Sequence, residues 1–182
     1  MSSHSSAAAA KTGDNVFLKA VAAISTLAGW VAAGMIVASV AITCQMIFVR
    51  FVLNQSTVWQ TEMVIYLVIS ATMVGLSYVQ LLRGHVNVDL FPLLLKPSLR
   101  RILAIFTLSA SALMIAVMLW YGYEYWHLAM SKGWKSDTVW AVRLWIPYLS
   151  IPVGLGLLLL QLLADLTAII LRIDVPFGLE EK

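Results

Sequence analysis

The chain has 182 residues, of which 61% are hydrophobic and only 12% charged, about half the charged share of a soluble domain; its polar pieces are too short to form a soluble domain with a core of its own. The net charge of +3 is no sign of nucleic-acid binding, because a basic surplus beside bilayers is the ordinary topogenic signal, and the single cysteine, Cys44, excludes an intramolecular disulfide and a cysteine-cluster metal site. Four charge-free stretches remain, Ala20 to Val49, Met63 to Leu82, Ile102 to Tyr123 and Leu144 to Ala164. A bilayer core about 30 Å thick is crossed by about 20 helical residues. The predicted fold is therefore an all-α integral membrane protein with four transmembrane helices plus a short interfacial helix between spans two and three. Its expected organisation is a flexible cytoplasmic tail over 1–18, a four-helix membrane domain over 19–172 and a cytoplasmic tail over 173–182. Within the membrane domain the spans lie at about 20–49, 60–82, 100–124 and 144–171, and the interfacial helix at about 88–96.

The Ser/Ala-rich tail up to Leu18 reads as disordered. The apolar run after Lys19 is far longer than the core of a signal peptide, which predicts a retained first helix. Small residues recur along it at helical spacing, Ala28 with Ala32, Gly29 with Ala33 and Gly34 with Ala38. Such pairs let backbones approach closely where lipid supplies no hydrophobic drive, and a 30-residue stretch must tilt or project beyond the bilayer.

At the start of span two, Thr57 and Gln60 have capping-box spacing and Glu62 is expected in the first turn, where the helix dipole favours a negative charge. Arg83 in its last turn and Gly84 at a left-handed C-cap close the other end. Helix-end chemistry accounts for Glu62, Arg83 and Gly84; the alternative for Glu62 is a pair with Arg50. The stretch Val86 to Leu95 is apolar but too short to cross. Asp89 can cap a helix lying in the interface, with Pro97 forcing a break and Lys96, Arg100 and Arg101 facing headgroups. In the fourth span Pro152 removes an internal hydrogen bond and predicts a kink, and Gly154 and Gly156 offer a close-packing face.

With both termini inside, Lys11, Lys19, Arg83, Lys96, Arg100, Arg101, Arg172 and Lys182 lie inside, against Arg50, Lys132, Lys135 and Arg143 outside. Eight basic residues against four predict cytoplasmic termini. Trp59, Trp120, Trp126, Trp134, Trp140 and Trp145, with Tyr121, Tyr123, Tyr125 and Tyr148, then fall near the outer face. They form either an interfacial belt or a docking surface for a protein arriving from outside. Under the second alternative the candidate contacts are Arg50, Trp126, Lys132, Trp134, Lys135 and Trp140.

Sites of chemistry are not visible. Glu62, Glu124 and Asp165 fall at or near predicted span ends, so no midplane carboxylate and no buried ion is expected. His85 and His127 lie at opposite bilayer edges, too far apart to share a haem. No phosphate loop, nucleophile elbow or metal-spaced cluster occurs, so neither catalysis nor a bound cofactor is expected.

Trp59, Glu62 and Tyr66 entering span two, Gly75 within it, the run Arg83-Gly84-His85-Val86-Asn87-Val88-Asp89-Leu90, the paired arginines opening span three, and Ile151-Pro152-Val153-Gly154 in the last span together resemble the small, DctQ-like (Q-type) membrane subunit of tripartite ATP-independent periplasmic (TRAP) transporters. The resemblance covers roughly residues 20–172 and is most specific at Gly84-His85 followed by Asp89. It implies an accessory scaffold subunit of a sodium-coupled importer of organic acids in the bacterial inner membrane. The implied partners are a large membrane subunit holding the substrate and sodium sites, a periplasmic substrate-binding protein that this chain helps to dock, and membrane lipids. The alternatives are a non-transport anchor or assembly subunit and a free-standing four-helix exporter, the latter needing an embedded carboxylate.

Overall fold

A computed structural model describes residues 15–82 and 97–171. Residues 1–14 of the expected first tail, the whole of the second, the expected interfacial helix and the junction residues Arg83, Gly84, His85 and Asp89 lie outside the described residues; Val16 to Leu18, expected in the flexible tail, are instead the first turn of the first helix, where Leu18 is buried. The elements are α1 (Val16–Phe51), α2 (Val58–Leu81), α3 (Pro97–Ser131), the single turn α4 (Trp145–Tyr148) and α5 (Ser150–Ile170). Among the described residues four helices are long and apolar enough to cross a membrane, α4 and α5 acting together as the fourth.

Lipid offers no water to backbone or hydroxyl groups, so polar groups in the spans must find partners inside the helix. Along α1, Thr26, Ser39 and Thr43 donate to the carbonyls of Ala22, Met35 and Ser39 at 2.7, 2.8 and 2.8 Å. Helices α1 and α3 have 36 and 35 residues, each more than 50 Å long at about 1.5 Å per residue, so both outreach a bilayer core. Pro97 opens α3, where its missing N–H removes no helix bond.

Helix α5 is central and the most buried of the four spans. Helix α2 packs between α1 and α5, α3 packs on the other side of α5, and α1 makes a smaller contact with α5. Small residues set these approaches. A Cβ at Gly29 of α1 would come within 2.5 Å of the Tyr78 ring, and one at Gly75 of α2 would meet the Ala32 Cβ at 3.4 Å. The expected small-residue face of α1 thus serves α2, through the buried Ala28 and Ala32 with Gly29. Gly34 has open space beside it. Leu158 and Leu162 of α5 form a core with Ala112 of α3, flanked by Leu76 and Leu108, while Leu18 and Val21 of α1 meet Ala164 and Ala168 where the first and last spans come together.

Pro152 acts one turn upstream of itself. Its ring displaces the carbonyl four residues back, and the fourth span is interrupted at Leu149 between α4 and α5. Leu149 keeps helical dihedrals, φ −58° and ψ −28°, so the chain direction carries through. Ser150 stabilises the joint by donating to the Pro147 carbonyl at 2.7 Å.

Candidate functional site

Two polar constellations stand out from the apolar bundle. The first is a buried seam toward the end that holds the start of α1 and the end of α5. Ser25 of α1 donates to Gln161 Oε1 at 2.8 Å, Gln161 Nε2 donates to Asp165 Oδ1 at 3.0 Å, and Gln80 Nε2 of α2 donates to Asp165 Oδ2 at 2.9 Å. Ser25, Gln161 and Asp165 are buried; α2 reaches α5 through the Asp165 carboxylate, and α1 reaches it through the Gln161 amide that the same carboxylate holds. This corrects the expectation that no ionisable group is buried: Asp165 lies about 7.5 Å inside the end of α5 at Ile170, turned toward α1 and α2 through its hydrogen-bonded neighbours. The i, i+4 spacing of Gln161 and Asp165 inside an apolar run was the signal that could have found it.

Arg101 is the second correction at this end. Its Nη2 donates to the carbonyls of Ile169 and Ile170 at 2.8 and 3.1 Å, so the guanidinium caps the open C-terminal carbonyls of α5 instead of facing a headgroup.

The other constellation lies at the opposite end, where the 132–144 loop returns from α3 to the fourth span. Helix α3 continues through Glu124 to Ser131 and stops in a Schellman arrangement. Gly133, at φ 61°, donates to Met130 O at 3.3 Å, and Trp134 donates to Ala129 O at 3.1 Å. The loop then closes on itself: Ser136 N donates to Val142 O at 2.9 Å and Leu144 N to Trp134 O at 3.0 Å, around an antiparallel bridge between Lys135 and Arg143.

Glu62 of α2 holds this loop down, since Ser136 Oγ donates to its Oε1. Glu62 is buried and is the fifth residue of its helix, and its partner is Ser136, so neither the expected first-turn role nor the alternative pair with Arg50 is what the structure shows. The Thr57/Gln60 capping box is not formed either. Thr57 has φ −123° and ψ 43°, outside the extended region from which a cap side chain reaches back to the helix amides. Thr57 Oγ1, Gln60 Oε1 and Glu62 Oε2 are buried with no hydrogen-bond partner among the described residues.

Aromatic contacts tie the loop to α2 and α3, and α3 to α4. Trp59 meets Trp140 edge-on at 6.3 Å, Tyr125 meets Trp134 at 5.7 Å and Tyr148 at 5.3 Å, and Tyr123 lies 5.7 Å from Trp126. The Trp126 indole also donates to Trp145 O at 3.1 Å. Trp126 and Trp134 are thereby half-buried packing groups, whereas Trp59, Trp140, Arg50, Lys132 and Lys135 present exposed surface. Tyr66 is half-buried on α2, Pro152 belongs to the joint between α4 and α5 described above, and Gly154 of α5 packs against the Met73 backbone of α2. An apolar groove of about 530 Å³ between α3 and α5 is lined by Ala116, Trp120, Tyr123, Pro152, Val153 and Gly156, among others. Among the described residues no three His, Cys, Asp or Glu side chains come together as metal ligands.

Residues 39–172, about three quarters of the chain, match the family described as tripartite ATP-independent periplasmic transporters, DctQ component. No curated protein matches the chain.

Proposed function

Because the chain belongs to the DctQ family, the DctQ component of tripartite ATP-independent periplasmic transporters, we propose that it is an accessory scaffold that supports a separate large permease subunit in a sodium-coupled importer of organic acids. It is a multi-pass membrane protein from a family of transporter components, not of enzymes. The observation that supports a scaffold best is where its polar groups sit. Ser25, Gln80 and Gln161 are tied between packed helices by hydrogen bonds to one another or to Asp165, and the groove between α3 and α5 is lined by apolar side chains. A buried carboxylate coupled to ion flow would instead line a water-filled path.

In this reading substrate and sodium bind the large subunit, both termini of this chain are cytoplasmic in a bacterial inner membrane, and the 132–144 end faces the periplasm. There Arg50 and Lys132, with the exposed edge of Trp59, receive the substrate-binding protein. The long α1, little of which is buried by the other described residues, supplies a wall for the large subunit. Affinity purification of the tagged chain from its native membrane, followed by reconstitution with and without its partners, tests the proposal. Expected are co-purification of a many-span subunit and no sodium-driven uptake by this chain with binding protein alone. Uptake in that minimal system would overturn the scaffold role.

A further inference from the structure

The hydrogen bonds from Ser136 N to Val142 O and from Leu144 N to Trp134 O flank Lys135 and Arg143 without joining them directly. This makes them the narrow, non-hydrogen-bonded pair of an antiparallel bridge, with Cα atoms about 4.5 Å apart and side chains on one face. Like charges placed directly opposite each other repel. Both residues are exposed, and neither has an ion pair or side-chain hydrogen bond among the described residues. The acid that touches this loop, Glu62, is buried and already engaged by Ser136, and Asp137 points no hydrogen bond or ion pair at the two cations. Two neighbouring cations that no acid among the described residues pairs with are suited to receive an anion. A guanidinium fork beside an ammonium suits a tetrahedral oxyanion.

The surroundings of the pair indicate where that anion comes from. Arg143 stands two residues before Trp145, the first residue of the fourth span. On the same loop Val139 is 94% exposed and Trp140 39%, and Ile146 just beyond is 54% exposed. Apolar and indole side chains exposed beside a cation pair belong at the headgroup level of a bilayer. We propose that Lys135 and Arg143 clamp the phosphate of a phospholipid in the leaflet nearest the 132–144 loop. The bridge and the Glu62–Ser136 hydrogen bond hold the two cations in place before the lipid arrives, so little ordering accompanies binding. The bound headgroup relieves the repulsion across the bridge and fixes the depth of the loop.

Native mass spectrometry of the full-length chain in detergent, titrated with phosphatidylglycerol or with diacylglycerol of the same acyl chains, tests this. Each cation near an anionic lipid contributes roughly a fivefold change in affinity, so Lys135→Gln with Arg143→Gln should weaken phosphatidylglycerol retention about 25-fold. Diacylglycerol, which lacks the phosphate, should bind wild type and variant alike. Lys135→Arg keeps the charge and should retain the lipid, which separates charge from any effect on folding. Unchanged phosphatidylglycerol affinity in the double variant overturns the proposal. So does a variant that keeps its lipid but loses association with purified binding protein, since the pair would then serve an acidic protein surface.

Discussion

Gly154 of α5 lies against the backbone of Met73 in α2 so closely that a Cβ there would come within 2.5 Å of the Met73 carbonyl carbon and 2.8 Å of its Cβ. Backbone on one side leaves nothing flexible to yield. Gly154→Ala should therefore separate α2 from α5 and cost about 1 to 3 kcal/mol, the usual range for overpacking. Gly156, two residues on, has no atom within 4 Å of a built Cβ, and Gly156→Ala should be neutral or slightly stabilising in the helix. Thermal unfolding of the two variants in detergent compares them directly, and equal losses would mean that helix propensity, not the α2 contact, governs both sites.

Asp165 should behave as the keystone of the buried seam. Asp165→Leu leaves the Gln80 and Gln161 amides without their acceptor, and an unpartnered buried polar group costs about 1 to 3 kcal/mol. Ser25→Ala removes only one hydrogen bond within the membrane, a loss averaging about 0.6 kcal/mol. Asp165→Asn keeps one acceptor oxygen and should fall between them. If Ser25→Ala lowers the unfolding midpoint as much as Asp165→Leu, the carboxylate is not what joins the three helices.

Apolar runs and proline positions were legible in the sequence because lipid imposes one rule on every residue of a span. The four helices and the interruption caused by Pro152 follow from that rule. The small-residue stripe of α1 was legible as a packing face, but its partner was not, because the Tyr78 ring that covers Gly29 has no sequence signature. Gly133 after Lys132 was a readable stop signal for α3. The charge of Glu124 ends the apolar run there and masks the remaining two turns to Ser131. Side-chain partners were least legible. Ser136 reaches Glu62 across 74 residues and Arg101 reaches the end of α5 across 68. Only the packing of α3 and α2 against α5 creates these pairs.

The Glu62–Ser136 hydrogen bond should govern how firmly the loop is held. A hydrogen bond to a charged group contributes about 1.5 to 3 kcal/mol, and local opening is what a protease senses. Lys132, Lys135 and Arg143 supply trypsin sites in or beside the loop. Ser136→Ala and Glu62→Ala should each speed cleavage there by about tenfold or more. The double variant should be no faster than the faster single one, because both remove the same interaction. Rates that multiply in the double variant would show two independent anchors.

Arg50 and Lys132 are exposed cations at the ends of α1 and α3, on the side proposed to meet the binding protein. Exposed charges at an interface rim act mainly on encounter rate and salt dependence. Neutralisation is the cleaner test than reversal, since a carboxylate in the last turn of a helix opposes its dipole. In the reconstituted transporter, Arg50→Gln with Lys132→Gln should raise the binding-protein concentration needed for half-maximal uptake several-fold at low ionic strength. The difference should shrink toward 1 M salt, where the Debye length is about 3 Å. Maximal uptake and the yield of the membrane complex should stay unchanged, because neither residue packs in the core. A half-maximal concentration that matches wild type at low salt would leave the exposed aromatics, not the cations, as the docking face.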